Sequence, residues 1–136
     1  MKMSAIFPAR LDALASVVAL LERFCAAGGV GHEDRLRLNL VIEELFTNTV
    51  RHGHGRDSEA PVWIGLGESS SQLTLEIEDT APPYNPFARK VAVDVPLEER
   101  RIGGLGVHLA RELSARSEYA YIFGRNCVRL QLPRDA

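Results

Sequence analysis

The chain has 136 residues, 46% hydrophobic and 25% charged, with a net charge of −2. That is a globular composition, long enough to bury a core, which excludes disordered and fibrous classes. Neither the charge balance nor any local Lys/Arg cluster offers a footprint for nucleic acid.

The longest mostly apolar run, residues 13–21, is too short to cross a bilayer, and residues 1–10 lack the apolar core of a signal peptide. A cytoplasmic protein without membrane contact is expected. Cys25 and Cys127 have no metal spacing and are expected as reduced thiols rather than a disulfide. Residues 4–8 read as a short edge strand. A helix follows over 11–27, with Leu14, Val17, Val18, Leu21 and Phe24 on a helical period, and Gly28-Gly29 stops it. The next helix is predicted from residue 32 or 33 to His52, ending at Gly53-His54-Gly55. Apolar and polar residues alternate over 62–66 and 73–78, which predicts a hairpin with its turn at 67–71. Three prolines in 81–86 forbid helix or inner strand there. Residues 87–101 are charged and weakly patterned, a long loop of the kind that usually serves function. Gly103-Gly104-Leu105-Gly106 opens a third helix through about Leu113. Strands at 119–123 and 127–132 are joined by a turn at 124–126. Helices and hairpins without regular βαβ alternation predict a single domain over 1–136. Its class is α+β, a two-layer α/β sandwich with a mixed, mostly antiparallel sheet and three helices on one face.

Three loci carry candidate chemistry. On the second helix, Glu44, Asn48 and His52 fall within an arc of roughly 80°, beside the face that should meet the core. A carboxylate and an amide at a core edge need partners. A Mg²⁺-bound polyphosphate supplies them: Asn48 offers an oxygen ligand, and Glu44 can orient a hydroxyl. An i,i+4 pair on a solvated face is the alternative. Asp79 continues the inward face of Leu73, Leu75 and Ile77. An inward carboxylate needs a donor such as the exocyclic amine of adenine, although a strand-end Asp can also cap the turn that follows. The glycines at 103, 104 and 106 let backbone N–H groups converge on an anion at a helix start, or form only a hinge. No Lys-Ser/Thr follows them, so they are not a Walker loop.

The order of these loci is specific: helical Glu-x-x-x-Asn, strand-terminal Asp with a proline turn, long loop, then Gly-Gly-x-Gly. It resembles the GHKL ATPase superfamily (the Bergerat fold), and within it the anti-sigma factor serine/threonine kinases of bacterial partner-switching systems. The segment Glu44-Leu-Phe-Thr-Asn48 with His52 is similar to their N box. Asp79-Thr-Ala-Pro-Pro-Tyr-Asn-Pro86 is similar to their Asp-x-Gly-x-Pro-Phe-Asp-Pro box, and Gly103-Gly-Leu-Gly-Val-His-Leu-Ala-Arg111 to their second glycine box. The resemblance implies ATP and Mg²⁺ as cofactors, Glu44 as general base and Asn48 as the Mg²⁺ ligand. It implies nucleotide contacts from Asn48, Asp79, Gly103, Gly104, Leu105 and Gly106, with His52 and Ala81 in the same boxes. Arg101 is a candidate for the γ-phosphate by its charge, with a solvated loop residue as the alternative. As partners it implies an anti-sigma-factor antagonist with a STAS domain and a sigma factor, and it allows a homodimer. Glu43 rivals Glu44 as base but lacks the i,i+4 relation to Asn48. Ala81 stands where the family has glycine; at positive φ its methyl costs roughly 1 kcal/mol or more. That departure supports an alternative, a non-catalytic ATP/ADP-dependent binding module. A histidine kinase catalytic domain acting in trans is a third reading.

Overall fold

Strict alternation of inward apolar residues sets the sheet. The computed structural model describes residues 1–88 and 114–135. Five strands, β1 (Lys2–Pro8), β2 (Pro61–Glu68), β3 (Gln72–Asp79), β4 (Arg116–Ile122) and β5 (Arg125–Pro133), form one sheet in the order β1-β2-β3-β5-β4. Every pairing is antiparallel, so the predicted mixed component is absent from the described strands. Hairpins join β2 to β3 and β4 to β5, whereas two helices lie between β1 and β2 in the chain and β4 sits beyond β5 rather than beside β3. Val62, Ile64 and Leu66 of β2, Leu73, Leu75 and Ile77 of β3, and Val128, Leu130 and Leu132 of β5 are buried on one face.

Two helices cover that face. A 3₁₀ turn (Leu11–Ala13) leads into α1 (Leu14–Gly28), which buries Val17, Leu20, Leu21, Phe24 and Cys25 and ends at Gly29 in the left-handed region. The second, α2 (His32–Asn48), buries Leu38, Val41, Ile42, Leu45 and Phe46. These residues and the inward strand residues make one hydrophobic cluster between the layers. The class is α+β, a two-layer sandwich with the helices on one face. The third predicted helix, from Gly103, lies outside the described residues.

Two local predictions change. The helix expected to continue regularly to His52 instead widens after Asn48 into a π-helical segment (Thr49–His54). Such widening inserts backbone into the helical repeat, so residues beyond Asn48 leave the phase of Glu44 and Asn48. The last hairpin turns at Phe123 and Gly124, not over 124–126, because Ile122 pairs directly with Arg125. Both turn residues have positive φ, 52° and 77°, which is the I′ geometry that matches strand twist. Asn126 is therefore a strand residue. The second cysteine also differs from a core thiol: Cys127 is half-buried, on the outer sheet face beside Glu78, and both cysteines are free.

Candidate functional site

Strand register creates the site. Asp79 ends β3 and Asn126 begins the paired stretch of β5, and the two are direct cross-strand partners. Period two turns both toward the helices, where they are 7% and 3% exposed. The C-terminal end of α2 lies over them and contributes Asn48 and Thr49, both buried. Asn48, Thr49, Gly53, Asp79, Tyr84 and Asn126 line one narrow cavity of about 10 Å³. That volume suits a single water and is far less than a purine requires. A larger groove of about 470 Å³ lies on the outer sheet face beside Glu76 and Arg129 and touches none of the predicted residues.

The carboxylate of Asp79 is held by three donors. Its Oδ1 accepts from the backbone N–H of Ala81 at 2.9 Å and from Asn126 Nδ2 at 2.9 Å. Its Oδ2 accepts from the Thr49 hydroxyl at 3.4 Å. Asp79 thus caps the following turn and also lines the interlayer cavity. An ionised carboxylate has about four acceptor positions, and the weak Thr49 contact leaves Oδ2 the under-used oxygen.

Asn48 makes the opposite case. Its side chain is 4% exposed, yet Oδ1 has no hydrogen-bond partner among the described residues. Leaving such an oxygen unsatisfied costs on the order of 1–3 kcal/mol. An unpaired amide oxygen is the donor type Mg²⁺ takes, since it uses few protein ligands and fills the rest of its shell with water and phosphate. The phenol of Tyr84 is likewise buried without a partner among the described residues. Glu44 sits one turn before Asn48 and is half-buried. Burial pushes its carboxyl above the ordinary range, Glu43 adds like-charge repulsion, and Arg51 partly offsets both. A raised carboxyl is better matched to accepting a proton near neutral pH.

His52, rotated by the π segment, stacks against Tyr84 with ring centroids 6.3 Å apart. Ala81 is fully buried and does not have positive φ, so the backbone strain considered from sequence does not arise. Its methyl instead packs on Gly53, where an added Cβ would meet it at 3.3 Å. Arg101, Gly103, Gly104, Leu105 and Gly106 lie outside the described residues. Sequence reasoning missed Thr49, Tyr119 and the central role of Asn126. The one available signal was parity: Asn126, Val128, Leu130 and Leu132 share an inward face.

A helix-borne Asn thus lies beside a strand-terminal Asp between the helices and the five-stranded antiparallel sheet of a two-layer α/β sandwich. Residues 7–132 match the histidine kinase-like ATPase domain family, and the chain belongs to it. No curated protein matches the sequence. Among solved structures, the RsbU and RsbW domains of Rv1364c from Mycobacterium tuberculosis superpose with a TM-score of 0.69 at 18% identity, covering 100% of this chain and 34% of that one. The chain therefore spans about a third of that structure. The catalytic domain of histidine kinase ThkA is similar with a TM-score of 0.53 at 15% identity, covering 97% of both chains. The Acinetobacter baumannii histidine kinase AdeS is similar at 0.50 and 18% identity, covering 98% of this chain and 68% of that one. At such identities these likenesses concern the fold. Among the described residues, no helix is long and apolar enough to cross a membrane.

Proposed function

We propose that this chain is a single-domain, cytoplasmic, ATP-dependent protein serine/threonine kinase of the anti-sigma type. The observation that carries the proposal is the unpaired buried oxygen of Asn48, a residue that lines the same cavity as Asp79. Asp79 Oδ2 would accept an N–H of adenine, which requires the cavity to widen from about 10 Å³. Asn48 Oδ1 would hold Mg²⁺, which when bound screens phosphate charge. Glu44 would take the proton from a serine hydroxyl of the partner as that oxygen bonds to the γ-phosphorus. The bond from that phosphorus to the β-bridging oxygen breaks, and ADP leaves. Arg101 and the glycines at 103, 104 and 106 would contact the phosphates. The partner is an anti-sigma-factor antagonist of STAS type, and phosphorylation would free this chain to sequester a sigma factor. The resemblance to partner-switching kinases and the RsbW domain in the Mycobacterium structure support that assignment.

The test is transfer of labelled γ-phosphate to the purified antagonist. Glu44→Ala is expected to abolish transfer and preserve nucleotide binding; wild type that binds ATP but labels no partner serine would refute the kinase reading.

A second reading, a nucleotide-dependent binding module without transfer, is favoured by the Ala81 methyl packed on Gly53 beside the narrow cavity. In that case Glu44→Ala changes neither nucleotide nor partner binding.

A further inference from the structure

Asn126, read from the sequence only as part of a turn at 124–126, carries the most connected side chain at the site. Nδ2 donates to Asp79 Oδ1 at 2.9 Å, to the carbonyl of Ala81 at 3.0 Å and to that of Pro82 at 3.2 Å. Two hydrogens serve three acceptors, so one is shared. Oδ1 accepts from the backbone N–H of Tyr84 at 2.9 Å and from the Tyr119 hydroxyl. Both ends of the amide are thus saturated, which fixes its orientation. A flipped amide would turn an oxygen toward the Asp79 carboxylate and a donor toward two other donors.

This arrangement makes the two oxygens of Asp79 unequal. Oδ1 is occupied by the Ala81 N–H and by Asn126, so it belongs to the fold. Oδ2 has only the 3.4 Å contact from Thr49. The plane of the carboxylate is therefore set from β5, and one acceptor is left toward the cavity.

We propose that Asn126 is a positioning residue that gives the site its selectivity for a 6-amino purine over a 6-oxo purine. Oδ2 can only accept, so a base that meets it must present a donor. An amino group does so. A carbonyl oxygen in its place faces a buried carboxylate and is rejected. Without Asn126, Oδ1 is freed and water enters beside it, able to bridge the carboxylate to a carbonyl, so the requirement relaxes. This rests on the adenine-nucleotide reading above and adds the residue that enforces it.

The experiment compares ATP with inosine triphosphate, each with Mg²⁺, in displacing a fluorescent ADP analogue from the full chain. Wild type is expected to prefer ATP by about 30-fold or more, as expected where a polar group is mispaired. Asn126→Ala is expected to reduce that preference to within about threefold, mostly by weakening ATP. Tyr119→Phe keeps the ring and removes one donor that steadies the amide. It is expected to lower the preference about threefold even if Asn126→Ala does not fold. A merely structural role would weaken both nucleotides by the same factor. An ATP preference that survives in both variants overturns this inference alone. Wild type that binds neither nucleotide overturns the adenine reading and this inference with it.

Discussion

The two ends of the space between sheet and helices carry polar clusters of opposite character. Where β3 begins and β5 finishes, Asp34 is 2% exposed and is held by the Arg37 guanidinium and the N–H of Asp135. Beside it, Arg134 bonds Glu68, the carbonyl of Ser69 and the carbonyls of Gly28 and Gly29 that end α1. Asp34 and Arg134 each have an opposite charge and further hydrogen bonds, so the cluster closes on itself. At the other end, Thr49, Asp79, Tyr119 and Asn126 are linked just as densely, but Asn48 Oδ1 and Tyr84 Oη are left over. A closed cluster fastens the chain. An open one keeps a cost that only an incoming group removes.

The sharpest way to break this contrast is Asp79→Asn. It is expected to weaken ATP binding about 100-fold or more, measured by titration, because the acceptor at Oδ2 loses its charge. It also sets two amides against each other, so stability should fall by about 1–3 kcal/mol in urea unfolding. At the closed end, Arg134→Ala is expected to cost about 2 kcal/mol through the lost bonds to the α1 terminus, with ATP affinity unchanged well below the melting temperature. A large loss of affinity there would end the division between the two clusters.

Asn48→Ala should keep stability within about 1 kcal/mol of wild type, because it removes an oxygen that has no partner. It should also abolish the Mg²⁺ dependence of nucleotide binding.

Acid titration separates the ends further. The Glu68 carboxyl lies below its ordinary value of 4.5, chiefly through the Arg134 hydrogen bond. Its contribution is present above that value and is lost as pH falls through the depressed one. Glu44 is shifted up from 4.5 by burial first and Glu43 second. Its ionisation opposes folding, so its contribution favours the fold in acid and disappears as pH rises through the raised value. Glu44→Gln should therefore melt slightly higher than wild type at pH 7. Glu68→Gln should melt lower at pH 7 and converge on wild type in acid. The smallest effect is reserved for Ala81→Gly. It removes the methyl packed on Gly53, and ATP affinity should rise about threefold while stability drops by about 1 kcal/mol.

Much of the architecture was legible because its causes are local. Apolar residues at helical period built α1 and α2, and period two built the strands and turned Asp79 inward beside Leu75 and Ile77. The candidate residues Asn48 and Asp79, picked out by their polarity on inward faces, line one cavity. Other features depend on pairings between distant segments. A two-residue turn at Phe123-Gly124 rather than a three-residue one makes Asn126 a strand residue opposite Asp79, 47 positions away. A slip of one residue would have sent it to the outer face. Widening of α2 beyond Asn48 likewise brings the Thr49 hydroxyl to Asp79. Ala81 in turn meets Gly53, a residue of that widened segment, with no positive φ of its own. Periodicity determined which residues face inward; only the tertiary register decided which of them meet, because hydrogen bonds between strands and helices are set by neighbours that sequence distance does not reveal.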